Sequence, residues 1–133
     1  MTGLIWFVQV VHDPLFGRVG ADSFADDHAG HTARTTPVVL VPMVVELVAS
    51  LAIAVAPPPN VGPALAWAGL AVAVLTWAST ALVQVPLHNR LATGDEPTAL
   101  GRLVATNWAR VGIWTTHAAV VTAMATRALA PSG

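Results

Sequence analysis

The sequence contains no cysteine and no lysine. Without thiols, disulfides, thiolate zinc sites, iron–sulfur clusters and cysteine nucleophiles are excluded, and the redox compartment leaves no mark on the chain. Charge is scarce too. Only 10% of the 133 residues are charged, where a soluble domain carries about a quarter. The six basic residues are all arginines, set against seven acids for a net charge of −1. The positive surplus that neutralises phosphates is therefore missing, and nucleic acid is not an expected partner. Also missing are a Gly-rich phosphate loop, a G-x-S-x-G elbow and a Walker lysine.

What remains is apolar: 55% of residues are hydrophobic and the mean hydropathy is +0.66. The length suits one domain, residues 1–133, and its long uncharged runs point to a lipid bilayer as the surrounding solvent. A hydrocarbon core of about 30 Å takes roughly 20 helical residues to cross. Residues 64–85 form an uncharged run between Pro63 and Pro86. Residues 38–56 form a second, bounded by Pro37 and the Pro57-Pro58-Pro59-Asn60 turn, with Glu46 as its only charge. Residues 103–125 form a third, which contains Arg110 and His117. The amino-terminal segment, 3–16, is apolar only as far as Val11, which at about 1.5 Å per residue covers about half the core. It reads as a short or incomplete helix, as a re-entrant half-helix, or as a helix whose start lies upstream. A cleaved signal peptide is not expected, because no basic region precedes the run and no small-residue cleavage site lies between Pro14 and Arg18. The expected fold class is all-α, a four-helix transmembrane bundle with a short or incomplete first helix.

Between the first two segments, Ser23 followed by Asp26 resembles a capping box, and predicts a polar helix over about 24–35 that runs on toward the second span through a bend at Pro37. The chain between residues 57 and 63 is too short and stiff for more than a tight turn, and residues 91–98 read as a looser loop. Arg18 and Arg34 fall between spans one and two, Arg90 and Arg102 between three and four, and Arg127 alone on the other side. The positive-inside rule then places both longer loops, and the polar helix, in the cytoplasm of a bacterial cell, with the protein in its cytoplasmic membrane.

An acidic side chain at mid-bilayer costs about 2.5–3.5 kcal/mol on insertion scales unless it is paired or faces a wet cavity, so Glu46 demands a partner. Asn107, Arg110, Trp114 and His117 are spaced to share one helical face and supply candidates. Trp77, Thr80, Gln84 and His88 share another, and Gln9, His12, Asp13 and Phe16 cluster at the end of the first segment. His28 and His31, three residues apart on the polar helix, have a usable spacing for metal ligands, although H-x-x-H alone arises often by chance. Small residues at Ala64, Ala68, Ala71 and Ala78 would let helices of a homo-oligomer approach closely. Each polar group has two readings, as an inter-helix hydrogen bond that fixes packing or as part of a site.

Three segments resemble the anthrone oxygenase-like family of small four-helix membrane proteins. They are Trp6-Phe7-Val8-Gln9-Val10-Val11-His12-Asp13-Pro14-Leu15-Phe16 with the following Phe24, His28 and His31; Val83-Gln84-Val85-Pro86-Leu87-His88-Asn89-Arg90-Leu91, similar to a V-P-L-N-N-x-L corner; and Asn107-Trp108-Ala109-Arg110, similar to a W-N-x-x-R opening of helix four. His88 stands where the family often has Asn, and the tryptophan follows Asn107 instead of preceding it. The resemblance implies oxidation of a hydrophobic aromatic with dioxygen, without an assigned cofactor. His88 or His12 would act as the base, and Arg110 or Asn107 would stabilise the enolate oxygen. Three readings stay open: a membrane protein with an inward-facing His/Glu/Arg cluster and no reaction, in which Glu46, Gln84 and His117 are buried polar residues; that oxygenase; and a metal- or haem-binding membrane protein.

Overall fold

A computed structural model of the chain describes residues 1–12, 21–92 and 96–131, and among these every regular element is a helix. Helix α1, Thr2–Phe7, runs on through a π-helical turn at Val8–His12. Helix α2 is Ala21–Val55 and helix α3 is Pro63–Ser79. A second π-helical turn, Thr80–Gln84, leads into α4, Val85–Ala92, and α5 is Glu96–Ala128.

The helix boundaries depart from the sequence expectation at Pro86 and Pro97. The polar helix runs on through Pro37 into the second span as one helix, which also contains Pro42. Each proline removes one backbone hydrogen bond, a loss that a long apolar helix tolerates when its neighbours support it. Pro86 does not end the third span. The π turn before it shifts the bonding so that the Val85 amide reaches back five residues to the Thr80 carbonyl. Pro86 then falls in the first turn of α4, where a missing N–H is tolerated. The expected loop at 91–98 is mostly helix, because Pro97 occupies the first turn of α5 and starts the helix seven residues before position 103. Residues 13–20 and 93–95, with Asp13, Pro14, Phe16 and Arg18, lie outside the described residues, as do the side chains of Ser23 and Asp26.

The turn after α2 is built on Asn60, whose φ of 64° is the left-handed conformation that asparagine tolerates. Its side-chain amide donates to the Ala130 carbonyl at 3.3 Å, tying the turn to the end of α5. Helix α1 lies antiparallel to α5. The Thr2 hydroxyl donates to the Trp114 carbonyl at 3.1 Å and the Trp6 indole to the Thr115 hydroxyl at 3.2 Å. Helix α2 joins α3 through the Trp77 indole, which donates to the Met43 carbonyl at 3.3 Å.

Along α5 the interior alternates. Leu87, Leu91 and Leu103 form an apolar layer at one end, Ile5, Met43, Val111 and Trp114 one at mid-height, and Val61, Ala66 and Met124 one at the far end. The buried polar residues Gln9, Gln84, Asn107 and Arg110 lie between the first and second, and Ser50 and His117 between the second and third. Much of the outside is apolar: Val41, Val45, Val48, Val55 and Leu82 are all exposed. Two segments are long and apolar enough to cross a membrane, Thr32–Val55 with mean hydropathy 2.6 and Pro63–Leu91 with 1.7. Ala64, Ala68 and Ala71 are exposed on α3, and Ala78 is half-buried.

Helices α3 and α5 approach closely at Gly69, where an added Cβ would lie 2.9 Å from Met124 Cε and 3.6 Å from Val120 Cγ1. Met124 is flexible at that end, so Gly69→Ala is expected to change stability by less than about 1 kcal/mol. Gly69→Leu has no such escape and is expected to lower stability by about 1–3 kcal/mol through overpacking. Thermal unfolding of the purified variants checks this ordering; equal stability of the two would contradict the close approach.

Candidate functional site

The first polar layer joins α1 to α5 near the end of α1. The Asn107 amide donates to Gln9 Oε1 at 2.8 Å, and Arg110 Nη1 donates to Asn107 Oδ1 at 3.2 Å. The π turn before α4 presents Gln84, whose amide donates to the Thr106 hydroxyl at 3.2 Å. Thr106 passes its own proton to the Arg102 carbonyl at 2.7 Å. Both polar ends of the Asn107 amide are thus engaged inside the protein. Bonds of this kind hold the helices in register.

The second layer lies about 15 Å further along α5, ten residues from Asn107. His117 points into the bundle from α5, and Glu46 and Ser50 reach it from α2. His117 Nδ1 lies 3.5 Å from Glu46 Oε1, and His117 Nε2 lies 3.4 Å from the Ser50 hydroxyl oxygen. The first contact is at ion-pair distance but is not aligned as a hydrogen bond, so His117 Nδ1 is also without a hydrogen-bond partner. Trp114 meets the imidazole edge-on, with ring centroids 6.1 Å apart. Trp114 and His117 are each 1% exposed and Ser50 4%, while the Glu46 side chain is 34% exposed. Trp114 Nε1 and Glu46 Oε2 are further buried polar atoms without hydrogen-bond partners. The two layers therefore differ in geometry: side chains of the first bond at 2.8–3.2 Å, whereas the contacts of the second are 3.4 and 3.5 Å.

Of the residues singled out in the sequence, Asn107, Arg110 and His117 are buried on the inner face of α5, Gln84 is buried beside the first layer, and Glu46 is in the second. His12 and His88 are half-buried, on the π turn after α1 and on α4. The side chains of His28 and His31 lie outside the described residues. Among the described residues, no three His, Asp or Glu gather as metal ligands. Ser50 was not legible as a site residue. Its only signal is its position four residues after Glu46, which puts both on one face of α2.

An open groove of about 660 Å³ runs along the outward face of α5, over Gly112, Thr116, Ala119 and Ala123, with Trp6 and Trp108 at one end. The two indoles pack edge to face at 5.9 Å. No member of either polar layer lines this groove. No family model, curated protein or solved structure matches the chain.

The first layer makes a direct prediction. Asn107→Ala removes bonds to Gln9 and Arg110, and is expected to lower stability by about 0.5–2 kcal/mol. In a double-mutant cycle with Gln9→Ala the two losses are expected to fall short of additivity. Strict additivity in thermal unfolding would mean that the two amides do not act as a pair.

Proposed function

We propose that this chain is a polytopic integral membrane protein that binds a lipophilic molecule bearing a hydrogen-bonding group at the Glu46–Ser50–His117 level. One observation carries the reading, the inversion of polarity between surface and interior. The two long apolar segments have only 17% and 22% of their most hydrophobic windows buried, whereas Gln9, Gln84, Asn107, Arg110 and His117 are buried. The core helix of a soluble protein would turn its valines inward; α2 turns Val41, Val45, Val48 and Val55 outward. An apolar exterior over a polar interior is what a hydrocarbon solvent selects, because unpaired polar groups are costly there. In this reading α1, α2, the α3–α4 unit and α5 form the bundle. Both longer loops face the cytoplasm, as the arginine distribution suggests, in a bacterial cytoplasmic membrane.

The absence of native cysteine makes the test clean. Gly62 and Gly30 are exposed, and a Cβ at either meets nothing within 4 Å. The protein is expected to stay with membranes through alkaline carbonate washing. A membrane-impermeant maleimide is expected to label Gly62→Cys in intact cells and Gly30→Cys only after lysis. Release by carbonate would refute the membrane reading, and the reverse labelling pattern would invert its orientation.

A second reading, the oxygenase of the family resemblance, is supported by the meeting of two resembling segments: the end of α1 touches the α5 opening through Gln9 and Asn107. In this reading His88 or His12 is the base, and Arg110 steadies the enolate oxygen. Purified protein is then expected to consume oxygen with an anthrone or hydroquinone, and His88→Ala to slow it. No oxygen uptake across a panel of such aromatics would remove the reading.

A further inference from the structure

Buried polar groups that serve only to pack helices find partners, and groups left without them call for an explanation. In the second layer Glu46 and His117 each keep such an atom, as does Trp114 from the adjoining apolar layer, and Glu46 and Trp114 both adjoin the imidazole. The order of groups is specific: carboxylate, imidazole, hydroxyl. Glu46 lies on the Nδ1 side of His117 and Ser50 on the Nε2 side.

We propose that Ser50, His117 and Glu46 form a nucleophile, a base and a positioning carboxylate that transfer the acyl group of a neutral lipophilic ester. This rests on the lipophilic-ligand reading above and names its substrate class. A carboxylate beside Nδ1 favours the tautomer with its proton there, which leaves the Nε2 lone pair facing the Ser50 hydroxyl. The separations of 3.4 and 3.5 Å are longer than closed hydrogen bonds, as nucleophile–base pairs often are before substrate binds. Ser50 Oγ bonds to the acyl carbon as its proton passes to His117 Nε2. The bond from that carbon to the leaving alcohol oxygen then breaks, and the alcohol takes the proton from Nε2. Water or a second alcohol cleaves the acyl-Ser50 ester by the same path, giving its proton to Nε2 and restoring the Ser50 hydroxyl. No electrons are gained or lost. The Trp114 indole N–H, buried and without an acceptor, is a donor beside the imidazole for charge that develops on the acyl oxygen.

The surroundings select the substrate class. Hydrogen bonds of α1 with α5 reach Trp114 and Thr115 and stop short of His117, and the Glu46 side chain is partly exposed on this level. Exposed Val44, Val45 and Val48 flank Glu46 on α2. Among the described residues, no arginine belongs to this layer, so an uncharged ester with an alkyl chain fits it better than an anionic one.

The test uses the full chain in detergent or proteoliposomes with an alkyl fluorophosphonate. Covalent labelling of the wild type is expected. Ser50→Ala should abolish it, and His117→Ala should slow it about 100-fold or more. Glu46→Gln should slow it less, with partial recovery in Glu46→Asp, a pattern that a purely structural carboxylate would not give. Ser50→Cys, the sole thiol of its variant, guards against loss of fold. Its alkylation by a lipophilic iodoacetamide is expected to be fast and to slow when His117→Ala is added. An unlabelled wild type, together with alkylation of Ser50→Cys that ignores His117, would overturn the nucleophile while leaving a ligand-accessible layer. A Ser50→Cys thiol inert to the reagent in folded protein would overturn both the nucleophile and the ligand reading.

Discussion

The structure is organised by one contrast, apolar side chains on much of its outside and hydrogen-bonding side chains within. From Val38 onward the outer face of α2, like that of α3, is mainly valine, leucine and alanine, and the amide, guanidinium and imidazole groups of Gln9, Gln84, Asn107, Arg110 and His117 are buried. Each such group must be paired within the protein, because leaving a buried donor or acceptor unsatisfied costs about 1–3 kcal/mol. The alternation of apolar and polar layers along α5 follows from this. Apolar layers set the spacing of the helices through volume, and polar layers set their rotation and register through direction.

The two polar layers answer that constraint differently. Around Asn107, side chains of three segments bond to one another at 2.8–3.2 Å. Around His117 the contacts lengthen to 3.4 and 3.5 Å and partners are lacking on neighbouring side chains. Long contacts among a carboxylate, an imidazole and a hydroxyl mark a place where a protein gives up packing for function. The same contrast weighs on the oxygenase reading, since an Asn107 amide already engaged at both ends is poorly placed to receive an enolate.

Much of this arrangement was legible in the sequence. The inward stripe of Asn107, Arg110, Trp114 and His117 is a matter of helical period, and the demand of Glu46 for a partner follows from its place in a valine run. The identity of that partner was not legible, because α2 and α5 are brought together only by the bundle. Ser50 was invisible for the same reason: a serine among alanine and leucine gives no signal until an imidazole stands opposite. Pro86 misled. By local preference it reads as the end of the third span, but a π turn absorbs it and presents Gln84 to Thr106; at Pro37 the sequence already predicts a continuing helix. The metal reading of His28 and His31 concerns side chains outside the described residues, and the structure adds nothing to it.

The central claim is that the exposed valines of α2 are bathed in hydrocarbon while the groups behind them are shielded from it. Single nitroxide labels at Val41, Val45 and Val48, each introduced through a cysteine in this cysteine-free chain and reconstituted in liposomes, test it most directly. Collision rates with oxygen, which concentrates in the acyl region, and with a water-soluble nickel chelate give the local solvent at each position. The account predicts high oxygen and low nickel accessibility at all three. High nickel accessibility along that face would contradict it.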